Sequence, residues 1–153
     1  MARYVVAEAG EIPPGGRKIV EVAGRSLGIF NVNGEYFALR NRCPHQGAPL
    51  CEGRLWGALT ADRPGEFHYS RPGEILACLW HGWEFDLRTG QSWCDPVRLR
   101  VRPYAVSVES GTDLQSREPD PDAPAPGMVK GPYVVETYPV LAEGQYLVVE
   151  IDA

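Results

Sequence analysis

The chain has 153 residues, 44% hydrophobic and 23% charged, which suits one domain able to bury a core without covalent staples. Its net charge of −5 argues against a nucleic-acid binder. No apolar run approaches the roughly 18 residues of a membrane span, and the start "MARYVVAEAGEIPPGG" lacks the basic-then-apolar pattern of an export signal, so the expected location is the cytoplasm.

Gly 17 and Pro 14 make up about a fifth of the chain and favour short strands joined by turns over long helices. In chain order, strand-like runs are "RYVVAEA" at 3–9, "RKIVEVAG" at 17–24 and "RSLGIFNVNGEYFALRN" at 25–41, the last with a hairpin signal at Asn33-Gly34. The only helix candidate is a turn around 52–59. Residues 58–74 carry two Pro-Gly pairs and read as an excursion or extra hairpin. Further runs are "EILACLW" at 74–80 and "WEFDLRTGQSW" at 83–93, where Thr89-Gly90 suggests a second two-residue turn. "RLRVRPYAVSVESG" at 98–111 opens with the richest basic stretch, whose alternation with apolar residues predicts a strand with one solvated face. A loop rich in Pro, Asp and Ala at 114–131 precedes "YVVETYPVL" and "QYLVVEI". The expected architecture is all-β, a sandwich or small barrel.

The four cysteines and three histidines are unevenly placed. "CPHQGAPL" at 43–50 and "CLWHGWEF" at 78–85 each hold one cysteine, one histidine and a nearby glycine. In a cytoplasmic chain, such cysteines point to metal or redox chemistry before disulfides. Two thiolates and two imidazoles suit a tetrahedral zinc. They also suit a [2Fe–2S] cluster with two cysteines on one iron and two histidines on the other. Zinc sites often pair like ligands within a loop; here each loop mixes them, as two loops gripping two irons would require. Gly47 and Gly82 would let the backbone approach inorganic sulfide and donate N–H bonds to it. Cys51 and Cys94 read as small packing residues, His68 as a solvated surface histidine, and Trp56 and Trp93 as core.

Cys43-x-His45 and Cys78-x-x-His81, with "GWEFDLRTG" after the second histidine, resemble the ligand signature of Rieske [2Fe–2S] proteins. The resemblance implies a Rieske-like antiparallel β-sandwich or small barrel with two cluster-binding loops and an inserted hairpin, a single domain over 1–153. It implies Cys43 and Cys78 on one iron and His45 and His81 on the other, surrounded by Gln46, Gly47, Trp80, Gly82 and Trp83. Trp80 and Trp83 would shield the cluster. The spacer 46–77 is longer than in compact Rieske ferredoxins. The extra loop cysteines of respiratory-chain Rieske proteins correspond to Ala48 and Trp80, and the serine after their His-Gly corresponds to Trp83, so the expected reduction potential is low for the family.

By the same resemblance the chain is an electron-transfer component with no catalytic site of its own. A Rieske oxygenase needs a further iron site of two histidines and a carboxylate, and only His68 is left over. The expected role is a soluble Rieske-type ferredoxin taking electrons from a reductase to a terminal oxygenase or similar redox protein. The alternatives are a small Rieske subunit of a larger oxidoreductase, or a metal-stabilised regulatory module without electron transfer.

Overall fold

The computed structural model describes residues 2–92, 95, 97–117, 128–129 and 138–151. They form two compact units, the first from 1–38 and 104–153, the second from 39–103.

In the first unit, β1 (Ala2–Glu8), β12 (Gln145–Ile151) and β9 (Val106–Ser110) make an antiparallel sheet in the order β1-β12-β9. β2 (Arg17–Val22) and β3 (Arg25–Val32) form a hairpin. They lead into β4 (Glu35–Arg40), in a sheet ordered β2-β3-β4-β8 with β8 (Pro103–Tyr104). The Asn33-Gly34 turn forms as expected, with φ of 52° and 93° at the two residues, the left-handed pair that suits a tight hairpin. β10 (Met128–Val129) pairs with β11 (Tyr138–Pro139).

The run "YLVVEI" is apolar without alternation because both faces of its strand are covered. Leu147, Val149 and Ile151 join Tyr4, Leu27 and Ile29 in the main core. Tyr146 and Val148 instead pack with Val5, Leu114 and Val140. Leu114 comes from helix α1 (Gly111–Arg117), in a stretch expected to be partly strand and partly loop. The helix is seven residues long, too short to show a period. The Ser110 hydroxyl accepts from the Asp113 N–H at 3.2 Å and caps its start. Leu114→Ala should cost about 2–5 kcal/mol, since the side chain is 1% exposed. Denaturant unfolding checks this, and a change under about 1 kcal/mol would show that the second face is not a core.

The chain leaves the first unit along β4 and returns along β8. In the second unit, β5 (Arg54–Arg63), β6 (Glu66–Ala77) and β7 (Glu84–Asp86) form an antiparallel sheet in that order. The helix expected around 52–59 is absent: a single 3-10 turn covers Leu50–Glu52, and the rest is β5. Cross-strand pairing with β6 overrides the weak local preference. Residues 58–74 are the outer arm of the β5–β6 hairpin. Pro64-Gly65 makes its turn, whereas Pro72-Gly73 lies within β6. There the register jumps from Trp56↔Ile75 to Ala58↔Ser70, so residues 71–74 bulge opposite Gly57.

The basic stretch 98–104 is less regular than expected. Arg100 makes an isolated bridge to Gln91, and only Pro103–Tyr104 is strand. Val101 and Tyr104 are buried and Arg100, Arg102 and Pro103 exposed, so the expected alternation breaks at Pro103. Cys94, Trp93 and most of the proline-rich loop lie outside the described residues. The ends of that loop are α1 and β10.

Candidate metal centre

Both Cys/His stretches lie in the second unit. The first, 43–48, follows β4 and precedes the 3-10 turn. The second, 78–83, joins β6 to β7, whose register closes with Ala77↔Glu84. The two loops share one backbone frame. The Cys43 N–H donates to the Ala48 carbonyl at 2.8 Å and the Gly47 N–H to the Cys43 carbonyl at 2.7 Å. The Cys78 N–H donates to the Trp83 carbonyl at 2.9 Å and the Gly82 N–H to the Cys78 carbonyl at 2.8 Å. Counted from its cysteine, each glycine holds the same place, and φ of 81° at Gly47 and 69° at Gly82 explains the residue type.

The shared frame sorts the side chains. Cys43 and Cys78, 1% and 3% exposed, turn inward, and their sulfurs interact. The imidazoles of His45 and His81 meet edge to face, 4.8 Å between centroids. Loops that each mix the donors in sequence therefore pair thiol with thiol and imidazole with imidazole in space. Among the described residues, no three His, Cys, Asp or Glu side chains converge as one metal ion requires.

Two observations test whether a metal group fits. The Nδ1 of His45 is shielded from solvent without a hydrogen-bond partner, a costly state for a ring nitrogen unless a metal takes its lone pair. Burial pushes the Cys43 thiol above its ordinary pKa, and Cys78 adds to that, while backbone N–H bonds from His45 and Gln46 pull it down. The buried Cys43 thiol is a poor thiolate alone; a cationic metal reverses that balance. The residues fit a metal–sulfur group.

The surroundings differ in part from expectation. The Trp83 ring lies against His45, with centroids 4.5 Å apart and planes tilted by 30°. Trp80 stands 58% exposed beside exposed Leu79. Trp56, expected in the core, is 38% exposed with its indole N–H on Glu84 at 2.9 Å. Gln46, Gly47, His81 and Gly82 are exposed and His45 is half-buried. Cys51 is fully buried away from this centre, its thiol directed at the Leu39 and Arg40 carbonyls at 3.5 and 3.7 Å. His68 is exposed on the outer arm.

An ionic network braces the base of the second loop. Arg71 donates to Asp86 at 2.8 Å and to Glu74 at 3.3 Å, and Arg88 donates to Glu74 at 2.6 Å. Asp86 also accepts the Arg88 N–H at 2.8 Å, at a turn that spans residues 87–89 with Gly90 left-handed, longer than the expected two-residue turn. The network ties the β6 bulge to this turn. Arg88, then Arg71, holds the Glu74 carboxyl below its ordinary pKa against a smaller opposing effect of burial. A carboxylate depressed in the folded state stabilises above its unfolded pKa, and loses that contribution as pH falls through the folded value. Glu74→Gln should therefore cost about 1 kcal/mol at neutral pH, discounted because the arginines are partly exposed. Its deficit against the parent should shrink as pH drops below about 4. Unfolding curves across pH check this; a pH-independent deficit would refute it.

A family model described as "Rieske [2Fe-2S] domain" matches residues 2–105. The chain belongs to the Rieske family. It therefore carries a Rieske-type [2Fe–2S] cluster. It is 31% identical over 99 residues to a Pseudomonas aeruginosa protein named as the ferredoxin component of a naphthalene 1,2-dioxygenase system, covering 65% of this chain and 80% of that one. It is 31% identical over 111 residues to the 3-phenylpropionate/cinnamic acid dioxygenase ferredoxin subunit of Photorhabdus laumondii, covering 72% and 90%. Among solved structures, the Sphingomonas yanoikuyae B1 ferredoxin matches with a TM-score of 0.53 and 26% identity over 71% of this chain and 91% of that one. The 58–74 arm belongs to the hairpin whose second strand leads into the second Cys/His loop.

Proposed function

We propose that this protein is a soluble, cytoplasmic single-electron carrier in which Cys43, His45, Cys78 and His81 hold the Rieske cluster. It passes electrons from a reductase to a terminal oxygenase or similar acceptor. The observation that supports this most is the sorting of donors by the shared loop frame, thiols paired inside and imidazoles paired outside. When bound, the cluster supplies one reversibly exchanged electron. The chain's own residues bury the sulfurs and donate backbone N–H bonds to one of them. They leave His81 exposed, which gives a partner a short approach. The oxygenase as acceptor rests on the relatives' names as ferredoxin components of dioxygenase systems. We read both compact units as one Rieske domain, since the family match runs through both. No helix among the described residues is long and apolar enough to cross a membrane.

Metal analysis tests the assignment, with about two irons and two sulfides per chain expected. One zinc without sulfide would overturn it. Cys51→Ser should keep the full complement, because a serine hydroxyl can donate to the same two carbonyls. Loss of iron from that variant would mean that the ligand set is wrong.

A further inference from the structure

Arg40, Arg42, Arg100 and Arg102 line one open cleft of about 320 Å³ together with Pro44 and Val101. Two segments build it, 40–44 and 100–102, joined by the Arg40 N–H donating to the Arg102 carbonyl at 2.9 Å. Buried Val101 forms part of its floor. Arg40, Arg100 and Arg102 are exposed and Arg42 stands at the same rim. The cleft adjoins the first cluster loop: Pro44 separates Cys43 from His45, and the Arg42 guanidinium lies 3.5 Å from where a Cβ on Gly47 would stand.

Like charges held side by side repel one another, and the Arg100 guanidinium donates to the neutral Thr89 carbonyl at 3.2 Å. Among the described residues no carboxylate lines this cleft. In a chain of net charge −5 it is a local inversion of sign. Guanidinium forks match carboxylates in paired hydrogen bonds. A small anion would call for sheltered, convergent donors, whereas these four stand around an open concavity, as a broad acidic surface would require.

We propose that the arginine cleft is the docking site for a carboxylate-rich face of the redox partner protein, which exchanges electrons through the adjoining 43–48 loop. The proposal rests on the electron-carrier reading. The cleft would draw an acidic partner to the cluster side of a molecule whose net charge repels it, and salt would weaken the encounter.

The test uses the full holo-protein, Arg40→Gln/Arg100→Gln and the charge-keeping Arg40→Lys/Arg100→Lys, with absorption and circular dichroism to show that each is folded and loaded. The reduced protein gives one electron either to hexacyanoferrate(III), an anion, or to hexaamminecobalt(III), a cation. The ratio of the two rate constants cancels any change in potential. The Gln pair should lower the anion-to-cation ratio roughly tenfold at low salt, and the Lys pair should preserve it. A glutamate decapeptide should bind the parent, release with salt, and fail to bind the Gln pair. An unchanged ratio, undiminished peptide binding by the Gln pair, or binding of inorganic phosphate but not the peptide would each overturn the proposal. Peptide binding needs no electron transfer, so it judges the cleft separately, whereas failure of both oxidants would count against the carrier reading.

Discussion

Cys43→Ser and Cys78→Ser are each expected to yield protein without iron, without visible colour and with a much lower unfolding temperature. Both sulfurs are buried and interact, so a serine in either place leaves a weaker donor where the cluster must be anchored from two loops. The consequence for stability follows from linkage, since a group bound only by the folded site adds its binding free energy to folding. A site filled about a thousandfold above its dissociation constant contributes about 4 kcal/mol. For a chain of this size that is roughly 10 °C in the unfolding midpoint. Calorimetry on the parent and both variants, with iron assayed on the same samples, measures the loss. A variant that keeps the Rieske absorption would remove that cysteine from the ligand set. A colourless variant that melts with the parent would show that the loops hold their frame unaided.

The two Cys/His loops stood out in the sequence because metal chemistry depends on residue type and short spacing. Each octet holds one cysteine, one histidine and one glycine, and the proposed ligand set is drawn from them. The strands were legible for a related reason: "RKIVEV", "NVNGEYFAL" and "QYLVVEI" carry β-branched and apolar runs with turns between them. What was missed depends on tertiary contacts. Helix α1 exists because Leu114 fills a gap beside Val5 and Val148, and one apolar residue has no periodicity to read. Residues 54–59 became strand because β6 offers a pairing edge. Trp56 was misplaced since an indole's size favours burial on average, while its exposure is decided by the backbone that carries it. The arginine cleft was visible only as basic residues in two separate stretches, which the fold then set side by side.

The reduction potential should lie near the bottom of the Rieske span, roughly −150 mV rather than +300 mV. Reduction adds negative charge, so donors aimed at sulfur raise the potential and their absence lowers it. The Cys43 sulfur accepts N–H bonds from the backbone of His45 and Gln46, and no side-chain hydroxyl among the described residues joins them. Cys43 and Cys78 carry no disulfide among the described residues, and the resemblance implies bridging cysteines only where this chain has Ala48 and Trp80, neither of which has a thiol. Trp83 follows the His81-Gly82 pair of the second loop. Its carbonyl is already engaged by the Cys78 N–H at 2.9 Å, and its ring lies against His45. Trp83→Ser should raise the potential by placing a hydroxyl beside the cluster and opening the His45 side to water. Trp83→Phe, which keeps a ring and adds no donor, should stay near the parent value. Protein-film voltammetry on the three proteins decides it. A parent value well above zero would require donors to sulfur beyond the backbone pair. Equal potentials for the Ser and Phe variants would mean that the ring's bulk, and not the missing hydroxyl, sets the contribution of position 83.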